Sequence, residues 1–133
     1  MSYVLRKQEF DSLIVCSDSV RYEYTIKRIA DWEEVWSLHG TGWVLAGEDG
    51  GREVVPIWPH SMFAQACATE QWANTAPKVI SLTDWSTRWL PGLEGDQRLI
   101  AVFPISSAAG SHGTVVTPGR FREDLDAQLE QIE

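Results

Sequence analysis

Residues 99–103 read LIAVF, and this run decides the fold that the sequence predicts. A strand with one solvated face alternates apolar and polar residues, whereas a strand covered on both faces is apolar throughout. The run contains no polar residue, and Pro104 follows it directly. We therefore predict a central strand here, with other elements packed on both of its faces.

The chain after this strand predicts a loop, a short strand and a helix. The loop is SSAAGSHG, residues 106–113, because small and polar residues favour irregular backbone. Residues 114–116 predict the short strand. Thr117 and Pro118 offer a helix N-cap and a proline at the first helical position. Apolar residues then recur at helical spacing: Phe121, Leu125, Leu129 and Ile132.

The first third of the chain predicts two helices, at residues 8–16 and 20–31. The second segment also alternates as a strand would, but the charged residues opposite its apolar positions favour the helix. Residues 16–19, CSDS, offer a break between the two helices and an N-cap for the second.

Three strands are predicted next, at residues 34–38, 43–46 and 53–58. Asp49 and Gly50 predict a tight hairpin between the last two, because glycine tolerates positive φ. Pro56 lacks an N–H donor, so the third strand is expected at a sheet edge or bulged at that residue.

The remaining stretch predicts a helix over residues 61–72, a strand over 78–82 and another helix. Ser81 and Asp84 fit a capping box for that helix, and the pair Pro91-Gly92 is expected to end it. The element order predicts an α+β fold in a single domain over residues 1–133. We expect a mixed or mainly antiparallel sheet of about five to six short strands, packed with about four to five helices.

Composition excludes several classes of function. The chain has 133 residues with 11 Lys and Arg against 19 Asp and Glu, a net charge of −8. Nucleic-acid binding needs basic clusters for phosphate contacts, so we expect no nucleic-acid partner. No apolar run is long enough to span a membrane, so we expect no membrane association. Three His and two Cys are widely separated, so neither a metal nor a cofactor is expected. Two unpaired cysteines, without an apolar leader, predict a cytoplasmic protein.

An ordered set of aromatic, proline and glycine residues resembles the small bacterial family called domain of unknown function 2750. The resemblance covers the chain from about residue 20 onward, so residues 1–19 are interpreted as an N-terminal extension and residues 20–133 as the family-like core. It implies a compact α+β cytoplasmic protein of bacteria. It implies no activity, cofactor or catalytic residue. Its pieces are Arg21-Tyr22-x-Tyr24, Val35-Trp36-x-Leu38, Gly42-Trp43, Pro56-x-Trp58-Pro59-His60, Ala64, Pro77, Ile80-x-Leu82, Trp89-Leu90-Pro91 and Val102-Phe103-Pro104.

His60, at the junction WPHS of residues 58–61, has two interpretations. A general base needs a group that fixes its tautomer, and none is visible in the sequence. We favour the other interpretation, in which His60 or Ser61 caps the free N–H groups of the following helix. Cys67 lies among alanines on a predicted buried face, so we interpret it as an inert core residue.

Seven tryptophans in a chain of this length are the remaining feature. Trp36, Trp43 and Trp58 fall on neighbouring predicted strands, so they line either a binding face or the core. With His60 and His112 they form the predicted set of binding residues; no catalytic residue is predicted.

Three hypotheses of function follow. The first is a non-enzymatic module that binds a protein partner; one version of it masks a basic partner in the manner of an immunity protein or antitoxin. The second is a small enzyme or ligand binder with a cleft near Trp58, His60 and residues 106–113. The third is a homodimer that pairs through the strand containing Pro56, rather than a monomer.

Overall fold

The structure is a computed structural model that describes residues 5–105 and 113–132. The described chain folds as an α+β domain, which confirms the predicted class. Within residues 5–105 and 113–132, six strands form two sheets: β1 (Glu34–His39), β2 (Glu48–Asp49), β3 (Arg52–Ile57), β4 (Ala76–Ser81), β5 (Leu99–Val102) and β6 (Thr114–Val116). The α-helical segments are α1 (Lys7–Ile14), α2 (Asp18–Trp32), α3 (Ser61–Ala66), α4 (Leu82–Asp84), α5 (Leu90–Gly95) and α6 (Pro118–Ile132).

β5 is an inner strand, as its apolar run predicts. The larger sheet has the order β2-β3-β5-β6, with β5 parallel to β3 and antiparallel to β6. All four residues of β5 are buried. The sheet is therefore mixed. A hairpin is present near the predicted place, but its first strand is the short β2 and its turn residues are Gly50 and Gly51, both with positive φ.

β1 and β4 form the smaller, antiparallel sheet. Trp36 joins the two sheets, because its N–H and C=O exchange hydrogen bonds of 2.9 and 2.8 Å with Trp58 at the end of β3. Val35 and Leu38 of β1 are fully buried beside this junction. The two sheets thus enclose one main core together with the helices.

The outer edge of β4 carries a proline. Trp36 bonds towards β3, so its neighbours Val35 and Ser37 bond towards β4 and face Ile80 and Lys78 there. Pro77 and Val79 consequently direct their backbone groups away from β1. No second strand pairs with β4 in the described part of the chain, so Pro77 places its missing N–H on this free edge.

The prediction that β3 lies at a sheet edge or is bulged at Pro56 is wrong, since its register with β5 is continuous through Pro56. β2 pairs with its first residues, and β5 pairs along Val54–Ile57. The backbone of Pro56 faces away from β5, since Ile57 bonds to Phe103 and Trp58 bonds to Trp36 on the opposite side. There the hydroxyl of Ser37 donates to the Pro56 carbonyl at 2.7 Å, so no ladder hydrogen bond is lost.

The predicted strand at residues 43–46 is also wrong. Val44 donates to Leu38 of β1, whereas Ala46 donates to Val54 of β3. This segment crosses between two strands and divides its hydrogen bonds between them, so it forms only an isolated bridge between His39 and Trp43.

Side-chain caps begin three helices where the sequence predicts them. The hydroxyls of Ser17, Ser81 and Thr117 accept from the backbone N–H three residues on, in α2, α4 and α6. The segment for which a strand was the alternative is therefore the helix α2. It ends at Trp32, and the next residue, Glu33, adopts left-handed φ of 57°.

Two helix ends differ from the prediction. α3 stops at Ala66 because Thr69 is extended and Glu70 has φ of 54°, so Trp72 belongs to a separate 3₁₀ turn. Pro91 does not end its helix, which continues to Gly95.

A buried arginine ties α2 to the end of β5. Arg21 is 2% exposed, and its guanidinium donates to the carbonyls of Phe103 and Cys16 and pairs with Asp18. Gly113 lies against this strand end with φ of 76°, where a Cβ would come within 2.4 Å of the Val102 carbonyl oxygen. The two strands β5 and β6 are therefore held closely at this point.

Candidate functional site

His60 is the N-cap of α3, as we favoured from the sequence. Its Nδ1 accepts the backbone N–H of Met62 at 3.1 Å, and the residue is 7% exposed. Its ring and that of Trp32 pack edge-to-face, with centroids 6.0 Å apart. The capping prediction is confirmed, whereas a binding role for His60 stays a prediction.

Removing this cap tests the capping role by stability. We expect His60→Ala to lower the free energy of unfolding by about 1–2 kcal/mol, because the Met62 N–H loses its acceptor. His60→Asn keeps a cap acceptor and should recover part of the loss. Urea unfolding followed by circular dichroism measures both variants; equal stability of His60→Ala and wild type would contradict the role.

Trp58 and Trp36 are joined by a backbone bridge, but their side chains differ in burial. Trp58 is fully buried, and its Nε1–H donates to the Pro104 carbonyl at 2.9 Å. Cys67, predicted as a core residue, is buried and directs its Sγ to the same carbonyl at 3.4 Å. Trp36 is partly buried, and its indole nitrogen has no hydrogen-bond partner among the described residues.

Trp43 lies in a separate aromatic cluster. Its ring contacts His39 at 5.0 Å and Trp89 at 4.8 Å between centroids, both edge-to-face. The Lys78 ammonium lies 5.4 Å from the centre of the Trp43 ring, within cation–π range. Trp43 is partly exposed, so of the three predicted tryptophans it is one that solvent still reaches. His112 and residues 106–112 lie outside the described residues.

An open pocket of about 330 Å³ lies beside this cluster, and we call it the Trp43–Trp89 pocket. Its volume falls at the lower end of the range for ligand sites. Gly92 of α5 also lines it. The apolar part of its lining is Trp43, Val44, Leu45, Val55, Trp89 and Leu93, and the charged part is Arg88, Asp96 and Arg98.

A π-helical turn supplies one side of this pocket. Residues Trp85–Trp89 form the turn between α4 and α5, closed by a hydrogen bond from Leu90 N–H to the Trp85 carbonyl. Pro91 has no N–H for an α-helical bond and its ring would crowd the preceding turn, so the wider turn lets the helix continue. Arg88 and Trp89 reach the pocket from this turn, and π turns often occur at functional sites.

The end of α5 supplies the charged edge. The Arg98 N–H bonds back to the Leu93 carbonyl at 2.9 Å, and Arg52 donates to the Gln97 carbonyl at 2.6 Å. Gln97 has left-handed φ of 57°, which the residue after a helix often adopts. On either side of it, Asp96 and Arg98 line the pocket. Arg98 pairs with Glu53 at 3.1 Å and with Asp96 at 3.6 Å, so its charge is shared with two carboxylates.

The sequence does not identify most of this pocket. Trp43 was predicted as a binding residue, whereas Trp89 was named only among the family-like pieces and Arg88, Asp96 and Arg98 were not singled out. Pro91 and Gly92 were misleading, because they predict a helix end. The helix instead continues past them along the pocket. A high tryptophan count is the one sequence feature that points here.

The arrangement offers an apolar cavity with charged groups and no cluster of metal ligands. Among the described residues, no group of three or more His, Cys, Asp or Glu could hold a metal ion. In the same part of the chain, none of the helices combines the length and apolar character needed to cross a membrane.

Two tyrosines of α2 bond to carboxylates of neighbouring helices, Tyr22 to Asp124 and Tyr24 to Glu9. Burial raises the pKa of both tyrosines. These pairs tie α2 to α6 and α1.

Comparison with known proteins gives one family. Residues 22–125 match the model of a family described as a protein of unknown function, DUF2750. That range begins after α1 and includes all residues of the pocket lining. A search of curated proteins finds no match to the chain.

Proposed function

We propose that this chain, which belongs to the DUF2750 family of proteins of unknown function, is a non-enzymatic binding module. In this proposal it holds an apolar side chain of a protein partner in the Trp43–Trp89 pocket. The observation that carries the proposal is the open pocket of about 330 Å³ walled by two tryptophans and flanked by arginines. Trp and Arg are the residue types enriched at the energetic centres of protein interfaces.

The way the pocket is built supports this proposal. A π turn forms one side of it, and π turns often occur at functional sites. The edge-to-face packing of Trp43 on Trp89 fixes both rings before any partner arrives. A rigid aromatic wall loses little side-chain entropy on binding.

The wider setting of the proposal comes from composition and family resemblance. We propose a bacterial, cytoplasmic protein, because of the family and of the two unpaired cysteines. The net charge of −8 favours a partner that is basic overall, as an immunity protein or antitoxin would have. A small enzyme centred on Trp58 and His60 has less support, since both side chains are buried and hydrogen-bonded.

Filling the pocket tests the proposal. Gly92 lines the pocket, and a Cβ added there meets nothing within 4 Å, so Gly92→Leu projects a side chain into open space. We expect this variant to fold and to gain up to about 1 kcal/mol, because leucine favours the helix more than glycine does. Partner capture from a native lysate, quantified by mass spectrometry, should fall at least about tenfold.

Gly95→Leu is the matched control, because Gly95 ends the same helix, is equally open and does not line the pocket. It should capture the partner as wild type does. Equal capture by Gly92→Leu and Gly95→Leu would contradict the pocket's role. Failure of wild type to retain a stoichiometric partner at low and moderate salt would contradict the proposal as a whole.

A further inference from the structure

The Trp43–Trp89 pocket contains a cationic side chain, Arg88, that makes only one long ion pair in the described part of the chain. The side chain of Arg88 is 81% exposed although it lines the pocket. Its Nε lies 3.9 Å from an Asp84 carboxylate oxygen, near the limit for an ion pair, and it has no other polar partner within the described chain. Its terminal nitrogens therefore keep donors for a ligand.

The other charges of the lining are already matched to one another. Arg98 pairs with both Asp96 and Glu53, so the repulsion that Asp96 would exert on an anion is reduced. Arg88 is left as the group that would gain most from a carboxylate, because a guanidinium binds a carboxylate through two parallel hydrogen bonds.

We propose that the group bound in this pocket carries a carboxylate next to its apolar side chain, and that it is the C-terminal residue of the partner protein. This inference rests on the proposed function. Arg88 and Trp89 both line this one pocket of about 330 Å³, so a carboxylate bound to Arg88 must lie close to the apolar group. A terminal residue meets this requirement within itself, because its own α-carboxylate lies beside its side chain.

An acidic side chain within the partner's sequence meets the requirement less well. In an extended peptide, successive side chains point to opposite sides, so an acidic neighbour points away while the apolar residue enters the pocket. A C-terminal carboxylate is also compatible with a partner that is basic overall, which the net charge of −8 favours.

Three probes that share one phenyl group test this inference. N-acetyl-phenylalanine has a terminal carboxylate, its neutral amide has none, and N-acetyl-aspartyl-phenylalaninamide has only a side-chain carboxylate. Each is titrated at low salt and followed by NMR signals of the tryptophan indole N–H groups. We expect the acid to bind about tenfold more tightly than the neutral amide, and the aspartyl amide to resemble the neutral amide.

Variants assign the difference to Arg88. Arg88→Gln should remove the tenfold preference for the acid while weak binding of the neutral amide persists. Arg120→Gln, which removes an exposed arginine of α6 away from the pocket lining, should keep the preference. Gly92→Leu should abolish binding of all three probes.

Several outcomes would overturn the inference. Equal affinities for the acid and its amide, or no binding by any probe, exclude the carboxylate. Tightest binding of the aspartyl amide excludes the C-terminal source. The proposed function fails separately, when partner capture is unaffected by Gly92→Leu, so the two failures are distinguishable.

Discussion

Replacement of Trp58 by alanine is expected to lower the free energy of unfolding by about 4 kcal/mol. Trp58 is fully buried, and its ring packs edge-to-face on Trp72 with centroids 6.2 Å apart. Its Nε1–H donates to the Pro104 carbonyl. Alanine leaves a cavity the size of an indole and removes that donor. Urea unfolding at equilibrium, monitored by far-UV circular dichroism, measures the loss.

Trp43→Ala is the matched control, because Trp43 is partly exposed and lines the open pocket. The loss of unfolding free energy in Trp43→Ala should be less than half that in Trp58→Ala, and the main effect of Trp43→Ala should be on partner capture. The reverse pattern, with stability kept but binding lost in Trp58→Ala, would show that Trp58 is the binding residue.

A single added methyl group at Gly113 should lower the free energy of unfolding nearly as much as Trp58→Ala does. Gly113→Ala combines φ of 76° with a Cβ only 2.4 Å from the Val102 carbonyl oxygen and 3.0 Å from the Pro104 nitrogen. Both contacts are backbone atoms and no side chain can move aside, so we expect a loss of about 3 kcal/mol or more. The thermal midpoint and the urea midpoint both report it.

Gly119→Ala serves as the comparison for this substitution. Gly119 lies in α6, its added Cβ meets nothing within 4 Å, and its φ is not positive. Alanine there should raise stability by about 0.5–1 kcal/mol through helix propensity. If Gly113→Ala unfolds at the same urea concentration as wild type, the close approach of β5 and β6 at Gly113 does not contribute to stability.

Local sequence signals predict the elements whose cause is local. The run at 99–103 identifies the inner strand because burial on both faces requires apolar residues throughout. Ser17, Ser81 and Thr117 identify helix starts because each hydroxyl bonds within its own first turn. The hairpin predicted near Asp49 and Gly50 follows in the same way from φ preferences, although its turn residues are Gly50 and Gly51.

The errors arise where distant residues decide. Residues 43–46 have strand-like composition, but their hydrogen bonds go to two strands, β1 and β3. Pro56 looks like an edge residue until the hydroxyl of Ser37 satisfies the carbonyl on its unpaired side. Pro91 reads as a helix end because the π turn that accommodates it leaves no local motif.

The candidate site is non-local for the same reason. Trp43 and Val55 meet Arg88, Trp89 and Arg98 only after the chain folds, with more than 30 residues between the two groups. The seven tryptophans indicate an aromatic binding face or an aromatic core. The pairing of charges around a pocket, in contrast, depends on tertiary contacts. No spacing rule connects such residues in advance.

Pro77 on the outer side of β4 bears on behaviour at high concentration. An exposed sheet edge can template the addition of further chains, which leads to ordered aggregates. Because proline supplies no donor there, an incoming strand finds an interrupted row of N–H groups, with Val79 the next donor along. This edge is thus poorly suited to fibril growth. Pro77 alone therefore lowers the tendency of the protein to aggregate through β4 in concentrated solution.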